Sequence, residues 1–534
     1  MLRLTELRLP LDHPVGALAE AAAARLGAPV TDCTVVRRGF DARRRGGVML
    51  VYTVDVAVDD AAAVLARHAG DARIGPRPTD AYEVPRPLRT PTHRPVVVGA
   101  GPCGLFAALL LAQMGLRPIV IERGRVVRQR TKDTWALWRR GVLDADSNVQ
   151  FGEGGAGTFS DGKLYSGIGD PGHRGRFVLE AFVEAGAPPE ILWVSKPHIG
   201  TFRLVGVVEA MRATIERLGG EYRFETRVDD LLVSADGARL CGLKLSDGTE
   251  LAAEHVVLAT GHSARATLQM LYRRGVHLDP KSFSVGVRIE HPQWLIDRAR
   301  FGDQAGHQTL GAADYKLVHH AASGRSAYSF CMCPGGTVVA ATSEPGRVVT
   351  NGMSQYSRNE RNANAGIVVG VEPRDFSDDP EWPGPLAGIG FQRALEAAAF
   401  VAGGGSYAAP AQTVGDFLAG RASTSLGAIV PSYQPGVTPT DLANCLPAFV
   451  IDTIREALPV FGRRIAGFDT ADAVMTGVET RTSCPVRITR GPDGQSISVR
   501  GLYPAGEGAG YAGGILSAGV DGLRAAEAVA AALG

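Results

Sequence analysis

The nine residues VVVGAGPCG, from Val96 to Gly104, decide the fold of this chain. Three β-branched residues lead into a Gly-x-Gly-x-x-Gly pattern, and the uncharged run from Leu105 to Met114 that follows is typical of a helix. A second short strand, Pro118 to Ile121, then ends in the acidic residue Glu122. This strand–turn–helix–strand order, with an acid at its end, is the fingerprint of a dinucleotide-binding fold.

Each part of this fingerprint has a predicted role toward the dinucleotide. Gly99 permits the tight turn, Gly101 lets the backbone approach a pyrophosphate, and Gly104 lets the helix pack closely on the strand. The N-terminus of the helix offers free N–H groups to the phosphates. Glu122, 23 residues after Gly99, can accept hydrogen bonds from an adenosine ribose. We expect further cofactor contacts from the residues beside these positions, Pro102, Cys103 and Arg123.

The glycine pattern alone is a weak signal in this chain. It recurs at Gly152-Gly154-Gly157 and at Gly508-Gly510-Gly513, where strand, helix and acid do not follow in the right order. The stretch from Val96 to Leu116 also contains no charged residue, as a membrane span would. The glycines and Pro102 inside that stretch instead favour a buried strand followed by a buried helix.

Composition narrows the class of protein. A chain of 534 residues can hold two or three domains with sizeable cores. Lys and Arg number 56 against 55 Asp and Glu, so no overall field attracts nucleic acid or a membrane surface, and neither is expected as a partner. Seven cysteines without a C-x-x-C pair indicate neither a disulfide framework nor a zinc site. The N-terminus lacks the apolar core of a signal peptide, so we expect a protein of the reducing cytoplasm.

The chain reads as an α/β protein with a Rossmann-like FAD-binding domain split in sequence. Six prolines between Pro76 and Pro95 indicate a stiff linker, and Asp236-Gly237 and Asp247-Gly248 are hairpin signals. The predicted segments are a small N-terminal α+β domain (1–75), the linker (76–95), a first FAD-binding part (96–170), an inserted segment (171–221), a β-meander with a second FAD-binding part (222–265), an α+β substrate or cap domain (266–470) and a third FAD-binding part (471–534).

Three distant stretches extend the fingerprint into an FAD site. They are the glycine-dense loop Ser147–Lys163, the strand end Ala259-Thr260-Gly261, and a C-terminal strand, glycine loop and helix from Leu502 onward. NAD alone would not need the C-terminal element, in which Glu507 could hold the ribityl or pyrophosphate part of FAD. The contacts predicted from these stretches and from the meander are Gly155, Ala156, Gly157, Lys163, Val228, Thr260, Gly261, Gly506, Glu507, Gly513, Gly514 and Ile515.

At these residues the chain resembles the family of uncharacterised FAD-dependent dehydrogenases, also described as NAD(P)/FAD-dependent oxidoreductases. The resemblance spans nearly the whole chain. Its motifs are Ser147–Lys163, Lys196–Thr201, Val287–Gln293, Ser329–Gly336, Pro410–Phe417, Gly477–Ser483 and Tyr503–Gly514. Membership of a flavoprotein family of the two-dinucleotide-binding-domain type implies an FAD site and redox chemistry, with no agreed substrate.

Candidate catalytic residues are less clearly marked. His291, between Glu290 and Pro292, is our first candidate for a proton acceptor, and His198 is the second. Cys333 and Cys331 could take part in redox chemistry or act as a base near the flavin ring. The alternative for each is a structural role, as a buried histidine or as a small cysteine beside a turn. Arg288 and Arg481 could clamp a substrate carboxylate or the flavin, or could be paired internally.

Three functions remain open from the sequence. The leading hypothesis is an FAD-dependent dehydrogenase that passes a hydride from a small-molecule substrate to flavin N5 and is reoxidised by a separate electron-transfer partner. The second is a monooxygenase that binds NAD(P)H transiently, because no second strand-linked glycine motif exists for a dedicated NAD(P)H domain. The third is a flavin-bearing, RNA-associated or interaction protein, which would use the arginines of the segment Arg37–Arg45. The composition of that segment favours a solvated hairpin tip, since Phe40 is its only aromatic residue.

Overall fold

The computed structural model of the protein describes residues 1–43, 47–79 and 81–534. Arg44 and Arg45, part of the predicted arginine segment, lie outside the described residues. The N-terminal unit contains β1 (Leu2–Pro10), α1 (Ala17–Leu26), β2 (Asp32–Asp41), β3 (Met49–Ala57), α2 (Ala61–Arg67) and β4 (Ile74–Pro76). Its strands pair antiparallel in the order β2-β3-β1-β4. Along β3, Leu50, Tyr52 and Val54 alternate with more exposed residues, so the sheet buries one face against the helices.

The nucleotide-binding domain begins at the VVVGAGPCG stretch. Its first elements are β5 (Val96–Val98), α3 (Pro102–Gln113), β6 (Ile119–Ile121), α4 (Val127–Arg140), α5 (Arg174–Glu184), α6 (Thr201–Arg217), β7 (Glu221–Arg223), β8 (Val228–Val233), β9 (Leu240–Leu245), β10 (Glu250–Ala252), β11 (Val256–Leu258), α7 (Arg265–Arg273) and β12 (Leu278–Pro280). Strands β8, β9 and β10 form an antiparallel meander with turns at Asp236-Gly237 and Asp247-Gly248.

The cap domain and the return to the nucleotide-binding domain complete the chain. These elements are β13 (Phe283–Pro292), α8 (Gln293–Phe301), β14 (Val318–His320), β15 (Ser326–Ala340), β16 (Thr350–Ser354), β17 (Asn362–Val371), α9 (Ala387–Ala402), β18 (Ala409–Thr413), α10 (Val414–Leu418), β19 (Val437–Pro439), α11 (Ala448–Arg464), β20 (Val474–Glu479), β21 (Val486–Ile488), β22 (Leu502–Pro504) and α12 (Ile515–Ala532).

A five-stranded parallel sheet organises the nucleotide-binding domain. Its order, β22-β11-β5-β6-β7, is that of a doubly wound sheet in which the chain starts at the centre and builds outward on both sides. Strands β5, β6, β11 and β22 are buried throughout, because helices α3, α6 and α12 cover one face of the sheet and the β-meander with α7 covers the other. Three distant parts of the chain therefore meet at the carboxyl edge of one sheet, and the α/β, Rossmann-like prediction is confirmed.

The uncharged stretch from Val96 to Leu116 is a strand and a helix, not a membrane span. Helix α3 is 12 residues long, and its buried side chains pack against α12. Across the described ranges, no helix combines the length and apolar character needed to cross a membrane.

The cap domain is built on a large sheet ordered β14-β15-β17-β13-β20-β18-β19, with β16 paired to β15. Helices α9 and α11 pack against it. Strand β20 lies in this sheet, between β13 and β18, although it falls inside the segment predicted as the third FAD-binding part. Its residues are all buried by cap neighbours, so the structural boundary of the cap lies after Glu479.

Candidate functional site

The turn after β5 has no room for side chains at two of its three glycines. Gly99 adopts φ 103°, and a Cβ atom there would lie 2.4 Å from the carbonyl oxygen of Ala259 in the neighbouring strand end. A Cβ atom on Gly104 would lie 1.8 Å from the carbonyl oxygen of Gly99. Glycine at these positions lets α3 and β11 approach the turn, as the fingerprint predicts.

Glu122 ties this turn to the glycine-dense loop. Its Oε2 atom accepts a hydrogen bond from the Ala100 N–H at 2.9 Å. Its Oε1 atom accepts from the N–H groups of Gly124 at 2.9 Å and Gly152 at 3.0 Å. The carboxylate that we predict as a ribose acceptor is therefore held in place by three backbone donors, and it lines the cavity described below.

Arg130 of α4 shapes the glycine-dense loop from inside the protein, and sequence reasoning missed it. The side chain is fully buried and donates to the carbonyl oxygens of Asn148 at 2.8 Å, Val149 at 2.7 Å and Glu153 at 2.7 Å. Burial lowers the pKa of Arg130 to about 10, so the guanidinium stays charged near neutral pH. The only sequence signal is a basic residue eight positions after Glu122, which does not distinguish it from its arginine neighbours.

The glycine-dense loop lies directly on the first turn of α3 and on the start of α12. A Cβ atom on Gly155 would come within 2.8 Å of Gly101 Cα. A Cβ atom on Gly157 would come within 3.0 Å of the Ile515 side chain. Three stretches that are distant in the sequence, around Gly101, Gly155 and Ile515, thus form one backbone-lined surface.

The C-terminal segment closes this surface. After β22, Gly506 adopts φ 75°, and a Cβ atom there would lie 2.9 Å from the Cβ of Cys103. Glu507 follows and lines the cavity, and burial raises its pKa to about 8. Helix α12 then begins at Ile515, so its N-terminus, with its free N–H groups, faces the same space.

A cavity of about 550 Å³ lies between these segments and the cap domain. The predicted cofactor residues that line it are Gly99, Gly101, Pro102, Cys103, Glu122, Arg123, Gly155, Ala156, Gly157, Lys163, Val228, Thr260, Gly261, Glu507, Gly513, Gly514 and Ile515. Gly104 and Gly506 are not part of the lining, because they pack beneath it against Gly99 and Cys103.

The opposite wall of the cavity belongs to the cap domain, and we call it the cap face. Its lining includes Tyr315, Phe330, Cys331, Met332 and Asn351, and the name is used below for these five residues. The Tyr315 hydroxyl is buried without a hydrogen-bond partner among the described residues, and burial raises its pKa. Phe330, Cys331 and Met332 lie together on β15 inside the motif Ser329–Gly336, whereas Tyr315 and Asn351 come from other parts of the chain and were not predicted as site residues.

Arg288 and Arg481 are both paired internally. Arg288 is fully buried, and its Nε and Nη2 atoms each donate to the Glu479 carboxylate at 2.8 Å. Arg481 donates to Glu396 at 3.0 Å and to Ser343 Oγ at 2.7 Å, although one side of it reaches the cavity. These contacts favour the internal-pairing alternative for Arg288.

None of the three predicted catalytic residues, His291, His198 and Cys333, lines the cavity. His291 is fully buried away from its lining, with Nε2 2.6 Å from the Phe468 carbonyl oxygen, and burial lowers its pKa to about 4. This geometry does not support His291 as a proton acceptor. His198 also lies outside the lining, where it stacks on Tyr356 and forms a backbone bridge with Lys163. Cys333 is fully buried behind Cys331, which reaches the cavity.

Models of three known protein families match successive parts of the chain. Residues 93–271 match a model described as pyridine nucleotide-disulphide oxidoreductase. Residues 282–482 match one described as FAD-dependent protein, C-terminal domain-like, and residues 1–57 match a domain of unknown function. The first two matches coincide with the nucleotide-binding domain and the cap domain.

Individual proteins are similar to this chain over all or part of its length. An uncharacterized protein of Clostridium beijerinckii is 45% identical over 535 residues, which covers 98% of both chains. A phytoene desaturase (neurosporene-forming) of Rhodobacter capsulatus is 35% identical over 121 residues, 21% of this chain and 22% of that protein. Among solved structures, L-proline dehydrogenase from P. horikoshii is 14% identical, with a TM-score of 0.34 over 83% of this chain and 94% of that one, a score too low to support an inference.

Proposed function

Because this chain belongs to a family of FAD-dependent oxidoreductases that joins a pyridine nucleotide-disulphide oxidoreductase module to an FAD-dependent C-terminal domain, we propose that it is a dehydrogenase acting on a small molecule. The observation that carries the proposal is a single cavity shared by two walls. One wall is backbone-lined and glycine-rich, and the other is the cap face. A ligand held by the first wall leaves the second wall free for a substrate.

The glycine-rich wall fits FAD. The close approaches at Gly99 and Gly155 make a cradle that a Cβ atom would fill. Gly101 and the N-terminus of α3 would hold the pyrophosphate, Glu122 the ribose, and Glu507 the ribityl chain. The N-terminus of α12 would face the flavin ring and favour negative charge there. FAD, when bound, supplies a ring that accepts a hydride and passes electrons onward.

Lys163 would present a fixed positive charge to this cavity. Its Nζ atom donates to the Met332 carbonyl oxygen and lies 3.3 Å from Asp161 Oδ2. Although burial acts in the opposite direction, the neighbouring thiols and Asp161 hold the pKa of Lys163 above its usual value. Lys163 therefore keeps its proton near neutral pH, where it stabilises negative charge on a substrate or on the cofactor.

His198 remains our candidate for the proton acceptor. Burial, together with the nearby Arg358, lowers its pKa, so the imidazole is neutral and able to accept a proton near neutral pH. Like His291 it lies outside the cavity lining with Nε2 near a carbonyl oxygen, that of Tyr356 at 3.0 Å, but its backbone bridge places it beside Lys163, which lines the cavity. Replacement of His198 by Gln should lower kcat and remove the acidic limb of the pH–rate profile, whereas a merely structural residue would leave that limb in place.

An anaerobic reduction experiment tests the proposal. The purified protein should carry a visible flavin spectrum. A substrate panel should include one compound that bleaches this spectrum, and an artificial electron acceptor should restore it faster than oxygen does. Rapid bleaching by NADH or NADPH, followed by rapid reoxidation by oxygen, would contradict the dehydrogenase and indicate the monooxygenase instead.

A substitution at Gly101 tests the position of the cofactor. A Cβ atom there has only one close neighbour, Gly155 Cα at 3.6 Å, so the fold accommodates it. Gly101→Val should nevertheless abolish FAD binding, because its side chain occupies the space assigned to the pyrophosphate. Colourless Gly101→Val protein with an unchanged thermal midpoint of the apo form is the expected result, and normal FAD content would refute the placement.

A further inference from the structure

Two cysteines on the cap face share one irregularity of strand β15. Pairing with β17 runs from Phe330–Gly366 directly to Cys333–Asn364, so Cys331 and Met332 together face a single residue. Cys331 itself adopts φ 42°, a backbone conformation that side chains other than glycine rarely take. Such strained positions in bulged strands concentrate at functional sites.

The bulge brings the two thiol groups together. The Cys333 thiol donates to the Cys331 carbonyl oxygen at 3.3 Å, and its interaction with the Cys331 side chain is the largest influence on the pKa of Cys331. Cys331 reaches the cavity, whereas Cys333 is fully buried behind it. One sulfur is therefore accessible from the cofactor cavity, and the other is reachable only through the first.

Two cationic side chains, Lys163 and Arg288, anchor this segment. Lys163 donates to the Met332 carbonyl oxygen, and Arg288 Nη1 donates to the Cys331 carbonyl oxygen at 2.8 Å. Acidic groups also face the segment, with Asp161 beside Lys163, Glu479 paired to Arg288, and Glu507 across the cavity. The Cys333 thiol, followed by Lys163 and Arg288, holds the pKa of Cys331 well below its usual value, whereas the pKa of Cys333 is raised.

We propose that Cys331 and Cys333 form a redox-active dithiol that exchanges two electrons with FAD across the cavity. In the disulfide form, the Sγ–Sγ bond breaks as two electrons arrive from the reduced cofactor. Cys331 leaves as a thiolate, Cys333 takes the proton released by the cofactor, and the cofactor returns to its oxidised form. The reverse direction forms the Sγ–Sγ bond and reduces the cofactor. The inference rests on FAD binding and not on the identity of the substrate.

Peptide mapping tests whether the bond forms. Trypsin places both cysteines in the peptide 326–347. After equilibration of the holoprotein in an oxidising glutathione buffer, the unreduced peptide should weigh two hydrogens less than the peptide from the reduced protein. Iodoacetamide should label Cys331 only in the reduced sample. A peptide of unchanged mass that labels equally in both buffers would overturn the proposal.

Electron counting tests the exchange with FAD. In an anaerobic dithionite titration, the oxidised wild-type holoprotein should take up twice as many electrons per FAD as Cys331→Ser or Cys333→Ser. Cys241→Ser, which removes an exposed thiol on the meander, should match the wild type. Equal uptake by the wild type and Cys333→Ser would overturn the proposal. If Cys331→Ser loses FAD through misfolding, the electron uptake of Cys333→Ser and the mass of the peptide 326–347 still test whether the two cysteines form a disulfide that exchanges electrons with FAD. Protein without FAD would instead refute the proposed function, while the peptide mass would report on the pair alone.

Discussion

At Gly104 a single added carbon atom meets backbone, which cannot move aside as a flexible side chain would. The ideal Cβ position lies 1.8 Å from the Gly99 carbonyl oxygen. We expect Gly104→Ala to lower the unfolding free energy by about 3 kcal/mol, the upper end of the usual cost of about 1–3 kcal/mol for overpacking, because the clash is with backbone. Gly206 in α6 is the matched control, because a Cβ atom there meets nothing within 4 Å. Gly206→Ala should stabilise the protein by about 0.5–1 kcal/mol. Thermal unfolding of both apo variants measures the difference, and equal destabilisation would contradict it.

Glu507 should make the stability of the apoprotein depend on pH. Its pKa is raised by burial to about 8, so between its usual pKa and about pH 8 the folded state keeps a proton that the unfolded state has lost. Stability contributed by this proton is complete at low pH and disappears as the pH rises through about 8. From about pH 5 to about pH 8, the wild type should lose roughly 3–4 kcal/mol more than Glu507→Gln, at about 1.36 kcal/mol for each pH unit over most of this range.

Denaturant unfolding of the apoprotein at both pH values checks this expectation. Glu250→Gln, at an exposed position on β10, should follow the wild type at both values. Parallel pH dependence of the wild type and Glu507→Gln would show that another group is responsible.

At the scale of single elements, α4 acts on the cofactor site through Arg130. Arg130→Met would leave the carbonyl oxygens of Asn148, Val149 and Glu153 without their donors. Buried acceptors without partners cost about 1–3 kcal/mol each, so the glycine-dense loop should lose its shape and FAD affinity should fall by about tenfold or more. Lys132→Met, at an exposed position on the same helix, should bind FAD normally. Titration with FAD, followed by flavin fluorescence, compares the two variants, and equal affinity would contradict the role of Arg130.

Elements defined by local patterns could be predicted from the sequence. The turn after β5 and its neighbouring strands follow from glycine spacing and apolar runs, because turn conformation and close packing act over a few residues. The cap face could not be predicted in this way. Tyr315, Cys331 and Asn351 meet only through the order of strands in the cap sheet, which local patterns do not encode. His291 is predicted as a proton acceptor from its neighbours in the sequence. It lies on β13, a central strand with nine of its ten residues buried, so its side chain is enclosed by protein and does not face the cavity.

At the scale of the whole molecule, the N-terminal unit and the cap domain share one hydrophobic core. Phe301 at the end of α8 packs edge-to-face on Phe40 of β2, with ring centroids 5.4 Å apart. Phe301→Ala should lower the free energy of unfolding by about 3–5 kcal/mol and weaken the contact between the N-terminal unit and the cap domain. Calorimetry should then separate the unfolding of the N-terminal unit from that of the rest. Trp294 on the same helix is 65% exposed, and Trp294→Ala should leave the profile unchanged. A single unshifted transition for Phe301→Ala would contradict the shared core.

The strand order of the central sheet also has a consequence for how this protein is made. Strand β5 is complete at residue 98, but its neighbour β11 ends at residue 258, and the edge strand β22 ends at residue 504. During synthesis, β5 and the glycine turn after it therefore leave the ribosome long before β11 and β22, which complete the sheet. Long-range pairing of this kind slows folding and leaves strand edges open to other chains. We expect newly made chains to need chaperone protection, and to be unable to capture FAD, until α12 has emerged from the ribosome.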